Sequence, residues 1–364
     1  MQAFSSPFTV VLIVPTGIGA TIGGYAGDAL PVARAIAQVA DCLITHPNVL
    51  NGAQMYWPME NTLYVEGYGL DQFAMGQWGL NPVRSNRIGL VLDRGIDEEL
   101  KVRHLQAADA ARATLGLSLT DYVVTDTELG VELRTAPSGA TWGTIQHPDS
   151  LLRAVEKLLH TAGAEAIAVV AQFPDDEDAQ TLENYRHGQG VDPLAGAEAV
   201  ISHLIVKTFQ VPCAHAPALP PLPIDPDLSP RSAAEELGYT FLPCVLAGLS
   251  RAPQFQSVQT HPPQRSTHFP HRSTPVILAE HVDAVVVPAS ACGGSAVLSF
   301  VETAAQIITV ADNQTTMQVF PKHLNIPSTT VQSYPEALGV LVAQKAGISL
   351  ASLGASIAPI AALS

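Results

Sequence analysis

Short, continuous apolar runs alternate along the chain with alanine-rich stretches of helical period. Residues 10–14 read as a buried strand, and residues 43–45 and 88–92 as two more. A helix is predicted over 30–39 with Asp28 as its N-cap. A second is predicted over 98–115, rich in Ala and Leu with its charges on one side. Residues 122–135 alternate apolar with polar, and Gly130 and Ser138-Gly139 supply turn signals, so hairpin strands are expected there. Further on, the pattern predicts a helix over 151–161, a strand over 166–171, a helix over 192–207 opened by Pro193, and a helix over 296–307. Helix and strand alternating at this spacing imply an α/β fold with largely parallel sheets and flanking helices. Residues 1–140 together with 275–364 are expected to form one lobe and residues 145–255 a second. Residues 250–275 read as a Pro- and His-rich surface loop between them.

The apolar run at residues 8–29 has the length of a membrane span but not its character. It contains Pro15 and five glycines (Gly17, Gly19, Gly23, Gly24 and Gly27), and the first basic residue is Arg34. A buried strand followed by a glycine loop accounts for it better than a signal peptide or a bilayer helix. The expectation is therefore a cytoplasmic protein with reduced thiols and no membrane partner. Composition narrows the picture further. With 47% hydrophobic and 14% charged residues the chain is neither disordered nor a coiled coil. A net charge of −15 excludes a nucleic-acid surface. The loop histidines His261, His268 and His271, beside Arg265 and Arg272, have no carboxylate or Cys at ligand spacing and read as solvated. The glycines after residue 14 do not keep the GxGxxG spacing, so no dinucleotide and no other cofactor is expected.

One pattern recurs: an apolar run, then Pro, then small residues. It occurs as Val14-Pro15-Thr16-Gly17, Val211-Pro212-Cys213-Ala214-His215, Leu242-Pro243-Cys244 and Val287-Pro288-Ala289-Ser290-Ala291-Cys292-Gly293-Gly294. Read as strand exits of parallel sheets, these segments would face one crevice, where ligands bind. The first and last also look like an internal pair. Val39-Ala40-Asp41 leads to Asn48, and Val310-Ala311-Asp312 leads to Asn313, so a pseudo-twofold would set the two asparagines across a cleft.

This layout is similar to the two-lobed architecture of the aspartate/glutamate racemases, in which thiol-bearing loops of two halves face a carboxylate substrate. A second resemblance covers nearly the whole chain. Pro15-Thr16-Gly17-Ile18-Gly19-Ala20, Thr45-His46-Pro47-Asn48-Val49-Leu50-Asn51-Gly52, Pro212-Cys213-Ala214-His215-Ala216-Pro217 and Pro288 to Gly294 together resemble an uncharacterised domain-of-unknown-function family of cyanobacteria and plastids. That resemblance implies a photosynthetic lineage and a housekeeping role, and it assigns no catalytic residue.

The chemistry must then come from the residues. Cys292, in a glycine-bordered loop before an expected helix, is the candidate nucleophile or acid/base, because a helix N-terminus lowers a thiol pKa. His46 and His215, at expected strand ends, are candidate proton carriers. Thr16, Gly17, Asn48, Ser290, Gly293, Asn313, Thr315 and Arg186 are candidate binding groups, with Arg186 as a carboxylate clamp. Cys213 and His215 with Cys244 or His203 would make a zinc set, but no CxxC pair accompanies them and no metal is expected. The functional expectation is a crevice that binds a small carboxylate-bearing metabolite and converts it by isomerase, hydrolase or lyase chemistry. The alternative is a non-catalytic metabolite or anion sensor or assembly protein, and a homo-oligomer is allowed.

Overall fold

The computed structural model describes residues 6–51, 59–174, 179–220, 222–236, 241–258, 275–357 and 359–360. His261, Arg265, His268, His271 and Arg272 lie outside the described residues. In chain order the strands are β1 (Thr9–Leu12), β2 (Cys42–Thr45), β3 (Thr62–Tyr64), β4 (Trp78–Asn81), β5 (Ile88–Leu92), β6 (Leu119–Val124), β7 (Val131–Thr135), β8 (Thr141–Ile145), β9 (Ala166–Ala171), β10 (Cys213–Pro217), β11 (Gln254–Ser257), β12 (Ala284–Pro288), β13 (Gln306–Val310) and β14 (Thr329–Val331). The helices are α1 (Leu30–Val39), α2 (Pro47–Leu50), α3 (Gly67–Ala74), α4 (Glu98–Leu115), α5 (Pro148–Ala162), α6 (Ala179–Arg186), α7 (Ala195–Phe209), α8 (Pro230–Glu236), α9 (Leu242–Ser250), α10 (Ser295–Val301) and α11 (Tyr334–Lys345).

Two parallel sheets organise the chain. The first has the order β14-β13-β12-β1-β2-β3 and the second β10-β9-β5-β6. Two antiparallel pairs, β11-β4 and β7-β8, complete the described strands. Parallel strands covered on both faces read as nearly continuous apolar runs. Thr9–Leu12 is accordingly buried throughout, with Val11 registered between Ile44 and Val285. Alternate side chains feed different cores. Val10, Leu12, Leu43, Val286 and Ile308 pack with α1 and α11 on one face. Val11, Ile44, Val285 and Ile307 pack on the other with α3 and α10, where Phe73 meets Phe300 edge-on at 6.1 Å. The first of these cores continues through α9 (Leu242, Val245, Leu246) onto Leu90, Ala168 and Ala214 of the second sheet. The far face of that sheet packs against α5 and α7.

Helix α4 shows how local sequence sets an element. Asp97 caps it by accepting Leu100 N–H at 2.9 Å, Glu98 and Glu99 follow in the first turn, and Gly116 closes it at φ +67°. Elsewhere the tertiary fold changes the reading. Asp28 does not cap α1; the N-cap is Ala29, and Asp28 accepts the Gly23 N–H instead. The helix expected over 296–307 stops at Val301, and Gln306–Val310 is strand β13. Of the four apolar-Pro segments, those at Val14-Pro15 and Val287-Pro288 are strand exits. Val211-Pro212 precedes its strand, and Leu242-Pro243 opens α9, where a proline without an N–H sits comfortably in the first turn. The hairpin is β7-β8 around Ser138-Gly139, whereas β6 is a parallel edge strand. Strands β5 and β6, expected within the N-terminal lobe, belong to the second sheet. Among the described residues no helix is long and apolar enough to cross a membrane.

Candidate functional site

The carboxyl ends of both sheets open onto one cavity of about 630 Å³, the range of small-molecule sites. From the first sheet, Pro15 and Thr16 follow β1, His46 and Asn48 follow β2, and Glu66 follows β3. From the second, Phe173 follows β9 and Leu219 follows β10, while α7 contributes Glu198, Ser202 and His203. The wall is largely apolar. Its ionisable side chains among the described residues are carboxylates, histidines and a tyrosine, with no Lys or Arg.

A polar chain among the lining residues joins the two sheets. Glu66, 4% exposed, uses Oε2 to accept the N–H groups of Tyr68 (2.8 Å) and Gly69 (3.2 Å), capping α3. Its Oε1 receives Ser202 Oγ at 3.5 Å and the His203 imidazole Nδ1. Ser202 Oγ in turn meets His215 Nδ1 at 3.2 Å, and His215 Nε2 lies 3.6 Å from Glu198. Burial works against the His203 imidazolium, but the hydrogen bond and charge of Glu66, with the charge of Asp71, outweigh it and raise its pKa. Burial raises the Asp71 carboxyl, against the Ala296 N–H that it accepts and the His203 charge. A histidine whose imidazolium is favoured by a neighbouring carboxylate can exchange a proton with a ligand and with the chain behind it.

Tyr185 and Glu235 also line the cavity. Tyr185 donates its hydroxyl to Glu235 Oε2 at 2.7 Å, and the Ala26 N–H reaches the same oxygen at 3.1 Å. Burial pushes Glu235 up to about 7 despite these two bonds, with the charges of Glu198 and Asp28 adding to the rise.

Of the residues singled out from sequence, Thr16, Asn48, His46 and His215 line the cavity. Several of the candidates, on the wall or off it, are tied up in contacts of the fold. His46 accepts the Val14 N–H on Nε2 at 3.0 Å, and burial lowers its pKa to about 4, so it stays a neutral imidazole near pH 7. Asn48 and Asn313 do not face a ligand together. They grip one loop, Asn48 through the Gly23 carbonyl at 2.7 Å and Asn313 through both backbone groups of Ile22 at 2.9 and 2.8 Å. Gly17, at φ +70°, gives its carbonyl to the Thr141 N–H, drawing the β7-β8 hairpin onto the loop. Ser290 and Thr315 bond each other at 3.0 Å, both buried, and Gly293 packs under Val319. Arg186 is locked by Glu236 (2.9 Å) and the Pro223 carbonyl (2.7 Å), off the cavity wall.

Cys292 is fully buried, also off the wall, with its thiol 3.5 Å from the Ala289 carbonyl. Burial pushes its pKa up to about 11, with the chain at Val319 paired against it. The expected lowering by a helix end does not arise; α10 is short and starts three residues on. Native protein exposed to iodoacetamide at neutral pH is therefore expected to label Cys292 only as fast as it unfolds. Peptide mass mapping checks this, and labelling at the rate of a small thiol would overturn it. None of the four cysteines is in a disulfide. Among the described residues, the three-residue cluster with metal-ligand spacing is Glu183, His187 and Asp225, not the Cys213, His215 and Cys244 set.

Sequence reading missed Glu66, Asp71, Glu198, Ser202 and Glu235, and weighed His203 only as a member of the zinc set. A signal existed for part of this group. Glu198, Ser202 and His203 are the polar residues in an otherwise apolar run over 195–206, on neighbouring faces of one helix.

Comparison with known proteins adds lineage. An uncharacterized lipoprotein of Synechococcus sp. (strain ATCC 27144 / PCC 6301 / SAUG 1402/1), a cyanobacterium, is 60% identical over 345 residues, 95% of this chain and 93% of its own. That relative is named a lipoprotein, so the cytoplasmic expectation for this chain stays an expectation. No solved structure matches the chain. The family model for the protein of unknown function DUF3326 matches residues 9–354, and the chain belongs to that family.

Proposed function

We propose that this protein binds a small, mostly apolar metabolite in the cavity between the carboxyl ends of its two parallel sheets. The observation that carries the reading is the cavity itself: about 630 Å³, walled by strand-exit loops of both sheets, apolar over most of its surface, with polar groups converging on it. Enclosed sites of this size and lining at strand ends are where α/β proteins hold ligands. Binding is the core of the proposal. Conversion by Cys292 loses its support, since the thiol lies outside the wall and is held protonated by burial.

The test is occupancy by a neutral probe, 1-naphthalenemethanol, followed by its fluorescence. Ala199 lines the wall on α7, and Ala199→Trp fills part of the space. The wild-type chain is expected to bind the probe, and Ala199→Trp to weaken it by about tenfold or more. No binding by the wild type, or equal binding by the variant, would overturn the reading.

A further inference from the structure

We infer that the ligand of this cavity carries an ammonium group and that Glu235 is its counter-ion, a reading that rests on the cavity being a small-molecule site. The sequence alone pointed to a carboxylate ligand. The wall reverses the sign, because no Lys or Arg lines it among the described residues and its formal charges are mostly negative. An anion placed there would be desolvated against like charge.

Most of the carboxylates already have occupations. Glu66 faces His203, Glu198 faces His215, and Glu236 holds Arg186. Asp192 accepts the Leu194 N–H at 2.8 Å. Glu235 differs. One oxygen takes Tyr185 and Ala26, no ion pair reaches the group among the described residues, and the half-buried residue lines the cavity, with desolvation raising its carboxyl. A partly desolvated carboxylate without a cation is costly, and the missing partner is what a ligand can bring. The surroundings fit an amine with an apolar body. Tyr185, tilted against Tyr25 with ring centroids 4.6 Å apart, offers an aromatic ring beside the charge, and Leu182, Leu219 and Leu222 also line the cavity.

The groups facing Glu235 are Tyr185 from α6, Tyr25 and Asp28 from the loop after β1, and Glu198 from α7. Arg231 on its own helix is held by Asp28 at 3.0 Å. The Glu235 carboxyl titrates near neutrality, so the pole strengthens as pH rises and the proton leaves.

The experiment titrates the full chain and Glu235→Gln with three probes of one shape: 1-naphthalenemethylamine, 1-naphthalenemethanol and 1-naphthoate. The wild type is expected to prefer the amine over the alcohol by about tenfold at pH 8, and by less than about threefold at pH 6. Glu235→Gln is expected to lose that preference at both pH values while binding the alcohol within about twofold of wild type, which also reports a folded cavity. Naphthoate or the alcohol binding as tightly as the amine at pH 8 would sink the inference but leave the cavity reading standing. So would a preference that survives Glu235→Gln. Failure of all three probes to bind sinks both.

Discussion

Glu66→Ala is expected to destabilise the fold by about 2–3 kcal/mol, read as a lower urea midpoint with an unchanged slope. The two carboxylate oxygens do separate work. Oε2 caps α3 through two backbone N–H groups, and losing a cap costs about 1 kcal/mol. Oε1 joins Ser202 and His203 of α7, the contact by which the first sheet's third strand exit holds the second sheet's helix. Removing it leaves polar donors without their acceptor, at about 1–3 kcal/mol. The His203 side chain is 42% exposed, so solvent screens its charge and the full penalty of a broken buried pair is not reached. The pH dependence has a definite sign. The folded pKa of His203 is raised, so its share of the stability is present below the ordinary histidine value and fades as pH rises through the raised one. A midpoint unchanged by Glu66→Ala would show that the two sheets are joined by other contacts.

Gly196→Ala is expected to cost about 1–3 kcal/mol, although alanine is the better helix former by about 1 kcal/mol. A Cβ at Gly196 would lie 2.0 Å from the Thr141 carbonyl oxygen and 2.3 Å from its carbon, both backbone atoms of β8. Either α7 or the β7-β8 hairpin must shift, and with it the cavity wall that Thr141 and Gly196 share. Gly339, an exposed position inside α11, has nothing within 4 Å of an added Cβ. Gly339→Ala is therefore the matched control and should stabilise by about 0.5–1 kcal/mol. Chemical denaturation of the two variants side by side reads the opposite signs. A stabilised Gly196→Ala would mean that the helix and hairpin do not pack as closely as they stand here.

Elements whose limits depend on neighbours in sequence were legible. Helix α4 runs over residues 98–115 as the pattern predicted, because a cap, an acidic first turn and a closing glycine are all short-range chemistry. The strands at 88–92 and 166–171 follow from unbroken apolar runs, which parallel sheets require. Strand-exit residues of the first sheet were legible for the same reason, and Thr16, His46 and Asn48 do reach the cavity.

Reading failed where one local pattern serves two structures. An apolar residue before proline ends a strand at Val14 and Val287 but opens a helix at Leu242, and only packing decides which. The helix expected over 296–307 likewise divided into α10 and β13, since its apolar residues satisfy either period until the sheet claims the second half.

The sequence by itself determined the fold class, the largely parallel sheets and the edge on which a cavity would open, because side-chain periodicity and turn chemistry act over a few residues. Tertiary structure alone decided the chemistry of that cavity. Cys292 is shut away by Val319, and Asn48 and Asn313 are spent on one loop. Glu66, Ser202 and His215, far apart in the chain, form one polar path. Burial and charge pairing are properties of neighbours in space, and those neighbours are chosen by sheet order and helix packing.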